Sequence, residues 1–218
     1  MTRIKICGIR DLAIARYCLE TRIDYLGFIL SRPETPRFLT IEQAASLTTA
    51  IKSTSDQQTN TRLVGVFVDE PSSFVQNAIT LCHLDAVQLH GHEPPDYCQR
   101  LRDEGIEVWK AIPLKDQLSV NEMEPYLGVV DVLHLDAFHP TKRSGGLGLP
   151  LDLALAQKAA LFGKPLALSG GLTSQNVREA IELIRPAIVD VSSGVEIAPG
   201  IKDSTLISDF IDQVRSAA

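Results

Sequence analysis

Two residues that can move protons stand at the ends of strand-like runs in this sequence. Cys7 closes the run RIKIC, and Asp136 closes the run VDVLHLD. A thiolate is a capable base or nucleophile, and a carboxyl group shielded from water can donate a proton. A buried cysteine is otherwise a small hydrophobic residue. One base and one acid on different strands suit a proton-transfer isomerisation, provided that the fold brings the strand ends together.

Eight short runs rich in β-branched residues alternate with longer amphipathic stretches. The runs cover residues 3–7, 25–30, 62–68, 86–90, 107–112, 130–136, 165–169 and 188–193. Several helix-like stretches open with a suitable N-cap, at Asp11, Thr40 and Ser174. Strands that alternate with helices pair in parallel through right-handed crossovers. The order therefore predicts one domain, residues 1–218, folded as an eight-stranded parallel β/α (TIM) barrel, with an open doubly wound sheet as the alternative.

The period of two along each strand predicts which side chains face the barrel lumen. In the first strand, Ile4 and Ile6 must face the helices, so Lys5 and Cys7 point inward. The same alternation turns further polar side chains inward, namely Arg3, Gln88, His90, Lys110, His134, Asp136, Asp190 and Ser192. Cys7 and Asp136 are the last inward residues of their strands, and they open onto the carboxyl-terminal rim where the active sites of such barrels lie.

Charged side chains inside a barrel need partners, because burial of an unpaired charge is costly. The alternation in the fifth strand turns Trp109 toward the helices and Lys110 inward. We therefore expect Lys5, Lys110 and Asp190 to form a neutralising network low in the lumen. The run KSTSDQQTN (52–60) predicts a polar loop before the third strand.

The surroundings of the two candidate groups suggest how each is activated. Lys5 lies two residues before Cys7 on the same strand face, roughly 7 Å away, and its cation favours the thiolate. Asp136 precedes a long glycine-bearing loop, residues 137–150. A loop of this kind can close over a site, exclude water and raise the pKa of the carboxyl group.

Two loops near the end of the chain have the composition of a phosphate site. Gly170 and Gly171 follow the seventh strand in LSGGLTSQNV, and Ser193 and Gly194 follow the eighth in VDVSSGVEIAPGIKD. Many barrels bind phosphate on backbone N–H groups of these two loops. Glycine allows the backbone to approach the phosphate oxygens closely. The two loops together indicate a small phosphorylated substrate.

Composition and charge argue against several other classes of protein. The formal net charge is −6 and the basic residues are scattered, which gives no electrostatic footprint for nucleic acid or an anionic membrane. No apolar run approaches the ~20 residues that span a bilayer. The beginning MTRIKICG has no signal-peptide core. No exposed apolar stripe stands out, and we expect a monomer.

The cysteines and histidines predict a cytoplasmic protein without a metal. The four cysteines, Cys7, Cys18, Cys82 and Cys98, are widely spaced and form no C-x-x-C pair. This spacing fits reduced thiols better than a disulfide framework or a zinc site. His90 and His92 are the only close pair of histidines, and they do not make a metal cluster.

Motifs along essentially the whole chain resemble those of the phosphoribosylanthranilate isomerase family of tryptophan biosynthesis. In order, they are KICGIR, PRFLT, GVFVD, DAVQLHG, VWKAI, HLDAF, SGGLTSQNV and VDVSSGVEIAPGIKD. The resemblance implies a single-domain β/α barrel without cofactor. It implies conversion of N-(5-phosphoribosyl)anthranilate to 1-(2-carboxyphenylamino)-1-deoxyribulose 5-phosphate by an Amadori rearrangement.

The resemblance also implies roles for individual residues. Cys7 matches the general base that removes the proton from C2, and Asp136 matches the general acid that protonates the ring oxygen. Arg37, in PRF, matches the residue that binds the anthranilate carboxylate, for which a guanidinium is suited. The phosphate-binding loops match at Gly170, Gly171, Ser193 and Gly194. Gln88 and His90 line the site.

The sequence departs from the family pattern after Asp136. Residues 145–153 read GGLGLPLDL, with Leu147 in place of a hydroxyl residue and Leu151 and Leu153 in place of aromatic residues. Cys7, Arg37 and Asp136 are intact, so we expect activity. Two alternative functions stay open. One is another isomerase or lyase that acts on a phosphorylated sugar, and the other is a phosphate-binding barrel without turnover.

Overall fold

Eight parallel strands close into a barrel in the order in which they occur along the chain. The computed structural model describes residues 1–54, 60–137 and 151–217. The strands are β1 Arg3–Cys7, β2 Tyr25–Ile29, β3 Arg62–Phe67, β4 Ala86–Leu89, β5 Glu107–Leu114, β6 Val132–Ala137, β7 Leu166–Leu168 and β8 Ile188–Val191. The predicted TIM barrel and its eight strands are confirmed, with strand ends moved by at most two residues.

Helices surround the barrel. Those that the structure describes are α1 Leu12–Glu20, α2 Ile41–Thr54, α3 Ser72–Cys82, α4 Pro95–Asp103, α5 Gln117–Asn121, α6 Leu153–Ala160, α7 Val177–Ile184 and α8 Ser204–Ser216. Their apolar faces and the outer faces of the strands form one continuous core. Among these helices, none combines the length and the apolar character that a membrane span requires.

The local sequence explains where most of the predicted helices begin. The Asp11 carboxylate accepts a hydrogen bond from the Ile14 N–H at 2.9 Å and caps α1. Thr40 caps α2 as predicted, because its hydroxyl oxygen accepts a hydrogen bond from the Gln43 N–H at 3.3 Å. The cap predicted at Ser174 is wrong, because the Asn176 side chain accepts from the Thr173 N–H at 2.8 Å and holds a turn before the helix. Helix α7 therefore begins three residues after Ser174.

The polar run 52–60 is only in part a loop. Helix α2 continues through residues 52–54, against the prediction. The Lys52 ammonium at its last turn donates to the His83 carbonyl at 3.1 Å, so this turn is tied to the end of α3. Residues 55–59 lie outside the described part of the chain.

A small antiparallel hairpin, which the strand analysis did not predict, lies between β8 and α8. Its strands are β9 Glu196–Ala198 and β10 Ile201–Lys202. Gly200 turns the hairpin with a φ of +81°, a conformation that favours glycine. A Cβ atom on Gly200 would lie 2.6 Å from the Pro36 carbonyl oxygen. The hairpin therefore packs directly on the loop between β2 and α2.

The lower lumen is filled by apolar side chains. They are Tyr25, Val64, Ala86, Trp109, Val132, Ala167 and Ile188. The rings of Trp109 and Tyr25 meet edge to face, with centroids 4.9 Å apart. The prediction that Trp109 faces the helices is therefore wrong. Alanines on other strands leave room for the indole, and the whole inward and outward assignment of β5 is reversed.

Lys110 consequently lies outside the lumen, against the prediction. Its ammonium pairs with the Glu93 carboxylate at 3.0 Å and donates to the Gly91 carbonyl at 2.7 Å. It also lies 5.7 Å from the centre of the Tyr126 ring. This buried pair is structural, and it joins β5 to the loop after β4. The predicted pairing of Lys5 with Asp190 inside the lumen is confirmed, with an N–O distance of 2.7 Å.

Candidate active site

A pocket opens at the carboxyl-terminal ends of the strands. It encloses about 730 Å³ of empty space when its open mouth is included. Six of the seven predicted site residues line it, namely Cys7, Arg37, Asp136, Gly170, Gly171 and Ser193. The seventh, Gly194, is the next residue after Ser193. The structure thus brings residues from five strand ends or the loops that follow them to one place.

Cys7 lies at the end of β1, beside Lys5. Gly27 of β2 is opposite Cys7 in the sheet. A Cβ atom on Gly27 would lie 2.8 Å from the Cys7 sulfur and 3.0 Å from Cε of Lys5. The absence of a side chain at Gly27 therefore makes the space in which the thiol and the lysine meet.

The charge state of Cys7 reflects two opposed influences. Burial raises the pKa of the Cys7 thiol, and the neighbouring Lys5 ammonium lowers it by less. The resulting pKa lies above the ordinary value of a thiol. Lys5 acts in the predicted direction, but burial outweighs it. Cys7 is therefore protonated at neutral pH in the unliganded protein.

A network of buried polar side chains forms the floor beneath Cys7. The Lys5 ammonium donates to the Asp190 carboxylate and to the Gln88 side-chain oxygen, each at 2.7 Å. His134 Nε2 lies 2.9 Å from the same Asp190 oxygen. Burial alone raises the pKa of Asp190, but Lys5 and His134 outweigh it and lower the pKa to about 2. Asp190 is thus a permanent anion in the lumen.

Asp136 is held at the end of β6 by donors around its carboxylate. One oxygen accepts from the Ala137 N–H and the Ser169 hydroxyl, each at 2.9 Å. The other oxygen lies 3.2 Å from Nε2 of His90. These contacts orient the side chain in the pocket, and His90 is the histidine that contacts its carboxylate among the residues that the structure describes.

The prediction of a raised pKa for Asp136 is wrong in the described surroundings. Burial does raise the pKa, but the His90 hydrogen bond and charge, together with the Ser169 hydroxyl, outweigh burial. The pKa of Asp136 therefore lies below its ordinary value. The loop expected to close over it, residues 138–150, lies outside the described residues, as does Leu147. Leu151 is described and belongs to the barrel–helix core.

Arg37 is buried and bound by an acidic residue that the sequence analysis did not single out. Its Nε and Nη2 atoms donate to the two carboxylate oxygens of Glu196, at 2.8 and 2.6 Å. The Lys202 ammonium donates to the same carboxylate at 2.8 Å. Glu196 and Lys202 lie on β9 and β10, on either side of the Pro-Gly turn. That turn was the available signal for a hairpin that carries two charges.

The glycine loops after β7 and β8 present backbone donors that have no partner among the described residues. Gly170 and Gly171 have φ values of +89° and +63°. The N–H groups of Gly170, Gly171, Ser193 and Gly194 donate to no residue that the structure describes. A Cβ atom on Gly194 would overlap the Leu172 carbonyl oxygen, so the two loops are in direct contact. Together they form a concave set of donors suited to an anion.

The fold and the pocket define a class of protein. A thiol and a carboxyl group reach one cavity from β1 and β6, and the loops after β7 and β8 and a buried guanidinium lie on its walls. This is the arrangement of a β/α-barrel enzyme that moves protons within a small anionic substrate.

Comparison with known proteins gives the family. The family model for N-(5'-phosphoribosyl)anthranilate (PRA) isomerase matches residues 4–213. The chain is 42% identical to the N-(5'-phosphoribosyl)anthranilate isomerase of Geobacter sulfurreducens over 215 residues, which cover 99% of both chains. It is 43% identical to that of Moorella thermoacetica over 217 residues, covering 100% of this chain and 91% of the relative. The chain belongs to the phosphoribosylanthranilate isomerase family.

Solved structures agree with this assignment. Phosphoribosyl anthranilate isomerase from Thermotoga maritima has a TM-score of 0.86 and 34% identity, covering 99% of this chain and 100% of that one. A second solved structure with 34% identity, a TM-score of 0.84 and the same coverage is a complex of such an isomerase with reduced 1-(o-carboxyphenylamino)-1-deoxyribulose 5-phosphate. The predicted family, fold and enzyme class are confirmed.

Proposed function

We propose that this isomerase converts N-(5-phosphoribosyl)anthranilate to 1-(2-carboxyphenylamino)-1-deoxyribulose 5-phosphate with Cys7 as general base and Asp136 as general acid. The reaction is a step of tryptophan biosynthesis. The observation that carries the assignment is the meeting of Cys7 and Asp136 in one pocket, from strands on different sides of the barrel. Each side chain is at least nine-tenths buried, as a proton-transfer group shielded from water should be.

The chemistry needs one proton given and one proton taken. Asp136 gives a proton to the furanose ring oxygen while the bond from that oxygen to C1 breaks. The lone pair of the amine nitrogen then forms a C1=N bond and leaves a cationic Schiff base. The Cys7 thiolate takes the proton from C2, and the C2–H electrons form a C1=C2 bond while the C=N electrons return to nitrogen. The resulting enolamine becomes the ketone when C1 gains a proton and the C2 hydroxyl loses one.

The resting protonation states are the reverse of those that the reaction uses. The pKa of Cys7 is raised and that of Asp136 is lowered, so the unliganded protein holds a thiol and a carboxylate. The active form holds a thiolate and a carboxylic acid, and both forms carry the same number of protons. They differ only in the position of one proton. Substrate binding therefore has to favour the form in which the proton is on Asp136 instead of Cys7. No net uptake of a proton is needed.

Two anion sites orient the substrate in this proposal. The unpaired N–H groups around Gly171 and Ser193 bind the phosphate. Arg37, which lines the same pocket, binds the anthranilate carboxylate. Its cluster with Glu196 and Lys202 supports this role, because two formal positive charges share one carboxylate there. An anionic group of the substrate completes the balance of charge.

The test is the decay of anthranilate fluorescence in freshly made phosphoribosylanthranilate. We expect the protein to accelerate the decay. We expect Cys7→Ser and Asp136→Asn each to reduce the catalysed rate by several orders of magnitude, with little change in the thermal unfolding temperature. Cys98→Ser, at a buried thiol outside the pocket, is the matched control and should retain turnover. Near-normal turnover in either site variant would sink the acid–base assignment. Absence of turnover with retained phosphate binding would favour a non-catalytic barrel.

The setting of the enzyme is also part of the proposal. We propose that residues 1–218 form one domain and that the protein acts as a monomer in the cytoplasm. All four cysteines are free thiols, which suits a reducing compartment. One solved relative, from Thermotoga maritima, is described as dimeric, with monomers generated from it.

A further inference from the structure

Glu196 accepts three hydrogen bonds from two basic side chains beside the pocket. Its side chain is 3% exposed, and both oxygens are engaged, one by Nη2 of Arg37 and the other by Nε of Arg37 and the Lys202 ammonium. Lys202 is fixed in turn, because it donates to the Ser192 carbonyl at 2.9 Å. The Ser192 hydroxyl donates to the Cys7 carbonyl at 3.1 Å. Glu196 is therefore at the centre of a buried chain that runs from Arg37 to the strand end of Cys7.

The hairpin that carries Glu196 is attached to the loop that carries Arg37. The Gly200 turn packs against the Pro36 carbonyl oxygen, one residue before Arg37. Arg10 donates to the same carbonyl at 2.5 Å. At the other end of the hairpin, the Asp203 N–H donates to the Val195 carbonyl at 3.0 Å. The hairpin and the loop are thus one unit, and Glu196 cannot move without the Arg37 side chain.

The hydrogen bonds of Glu196 determine which edge of the guanidinium is left. A guanidinium has five N–H donors, arranged in a side edge that includes Nε and an end edge formed by the two terminal nitrogens. Glu196 occupies the side edge of Arg37. Nη1 donates to no residue that the structure describes, and Arg37 lines the pocket. Within the described part of the chain, the end edge is therefore unoccupied, and its two nitrogens have the geometry that binds a carboxylate with two hydrogen bonds.

We propose that Glu196 is a positioning residue that holds the end edge of Arg37 toward the pocket and so makes the site selective for a carboxylated aromatic amine. This inference rests on the role of Arg37 in the proposed function and adds a residue that makes that role specific. Lys202 supports Glu196 and does not touch the substrate. Without the hydrogen bonds from Glu196, a long arginine side chain at a pocket mouth adopts several orientations. Fixing the guanidinium in one of them then costs conformational entropy when the ligand binds.

A different role for Glu196 gives opposite results. If it were only a counter-charge, it would weaken the attraction of Arg37 for any anion. A shorter acid would then leave the selectivity unchanged, and a neutral amide would increase it. A positioning role predicts that both changes reduce selectivity. Glu196→Asp keeps the charge and moves the carboxylate back by one methylene, and Glu196→Gln keeps the size and replaces one acceptor by a donor.

The experiment compares two stable ligands by titration calorimetry. One is reduced 1-(o-carboxyphenylamino)-1-deoxyribulose 5-phosphate, and the other is the same compound without the ring carboxylate. We expect the parent protein to prefer the carboxylated ligand by a factor of about 10 to 100, the range for a charged two-point hydrogen bond. We expect Glu196→Asp to reduce this ratio at least fivefold, with affinity for the carboxylate-free ligand unchanged. An unchanged ratio in Glu196→Asp would overturn the proposal.

Two further variants test whether the effect is specific to the position of the Glu196 carboxylate. Glu107→Asp shortens the partner of another arginine, Arg62, at the opposite end of the barrel, and should leave the ligand ratio unchanged. If Glu196→Asp does not fold, Glu196→Gln decides, because a fall in the ratio supports positioning and a rise overturns it. Failure here is distinguishable from failure of the proposed function. The isomerase assay tests Cys7 and Asp136, whereas an absent carboxylate preference in the parent protein would remove the role of Arg37.

Discussion

At the scale of single residues, the active site sets burial against charge. Cys7 and Asp136 are both buried, which favours their neutral forms, and each has a neighbour that favours the ion. For Cys7 burial is the stronger influence, and the pKa is raised. For Asp136 the hydrogen bonds are stronger, and the pKa is lowered. The difference follows from the number of contacts. Asp136 has donors at both oxygens, whereas the Lys5 ammonium beside Cys7 is shared with Asp190 and Gln88.

Lys5→Met is expected to make Cys7 less reactive. The Lys5 ammonium lowers the pKa of the thiol, so its removal raises that pKa and reduces the thiolate present at any pH below it. A rise of one pKa unit corresponds to about tenfold slower alkylation at pH 8. The measurement is the rate of iodoacetamide labelling of Cys7 against pH, followed by mass spectrometry. Cys18, Cys82 and Cys98 are fully buried and should stay unlabelled.

A matched control for this experiment is Lys110→Met. It removes a second buried lysine, which pairs with Glu93 outside the lumen. We expect both variants to lose stability, and only the Lys5 variant to change the pH profile of labelling. Equal profiles for the two variants would show that Lys5 has a structural role alone.

Residue types and strand ends were enough to select Cys7 and Asp136 from the sequence, because the last inward residue of a barrel strand faces the rim. Glu196 could not be found in this way. Its importance comes from a contact with Arg37, which is 159 positions away in sequence, and no local pattern encodes that pairing. The lowered pKa of Asp136 in the described surroundings could not be predicted for the same reason, since His90 and Ser169 approach it from other strands.

At the scale of secondary-structure elements, strand parity predicted the facing of β1, β4, β6 and β8 but not that of β5. Both faces of a barrel strand are buried, so hydrophobicity alone does not distinguish the lumen from the helix side. The sequence around Trp109 offers a large apolar residue beside a lysine, and either one can face inward. The small residues Ala86 and Ala167 decided the outcome, because they leave space for an indole in the lower lumen.

The contact between the loops after β7 and β8, which we propose to bind phosphate, gives a prediction for Gly194→Ala. The added methyl group would overlap the Leu172 carbonyl oxygen, so one loop has to shift. We expect the KM of the phosphorylated substrate and the inhibition constant of inorganic phosphate to rise by about tenfold or more, through loss of one or two backbone hydrogen bonds to an anion. Steady-state kinetics with phosphate as competitor measures both. Gly128→Ala is the matched control, since nothing lies within 4 Å of its added Cβ.

Phosphate inhibition that is equally strong in both glycine variants would contradict the assignment of this loop pair. Gly128 lies in a turn before the amino end of β6 and is not among the residues that line the pocket at the carboxyl ends of the strands. Its variant therefore reports only the general effect of replacing a glycine.

At the scale of the whole molecule, the alternation of strands and helices predicted parallel pairing, because each βα unit is encoded locally and its crossover is right-handed. Handedness alone does not distinguish a closed barrel from an open doubly wound sheet, and the count of eight strands in one domain favoured the barrel. The lumen is less predictable. It combines an apolar lower half with a charged layer directly above it. The charged layer crosses the barrel from Lys5 to His134 through Asp190, and it supports the catalytic rim at a cost in desolvation.

This charged layer makes stability depend on acid pH. The pKa of Asp190 in the folded protein is about 2, below the ordinary 3.8. Its contribution is therefore fully present above pH ~5 and is lost as the pH falls toward 2, with a magnitude on the order of 2 kcal/mol. Urea unfolding between pH 7 and pH 2 measures it. Between pH 7 and pH 2, the free energy of unfolding of the double variant Lys5→Met, Asp190→Asn should therefore fall by less than that of the parent protein. The expected difference is on the order of 2 kcal/mol.

The control for the acid experiment is an exposed carboxylate. Asp96 pairs with Arg100 on the surface of α4, where solvent screens the pair, and Asp96→Asn should follow the parent protein closely. Parallel curves for the parent and the double variant would mean that the lumen pair does not couple folding to protons.

The side chain that overturned the parity of β5 has one more consequence. Trp109 is the only tryptophan of the chain, it is fully buried, and its ring lies 5.7 Å from the Lys5 ammonium and is stacked on His134. Indole emission responds to nearby charge as well as to solvent. The intrinsic fluorescence of this protein is therefore a spectroscopic reporter inside the lumen, where it can register a proton that moves in the layer beneath Cys7 without any added label.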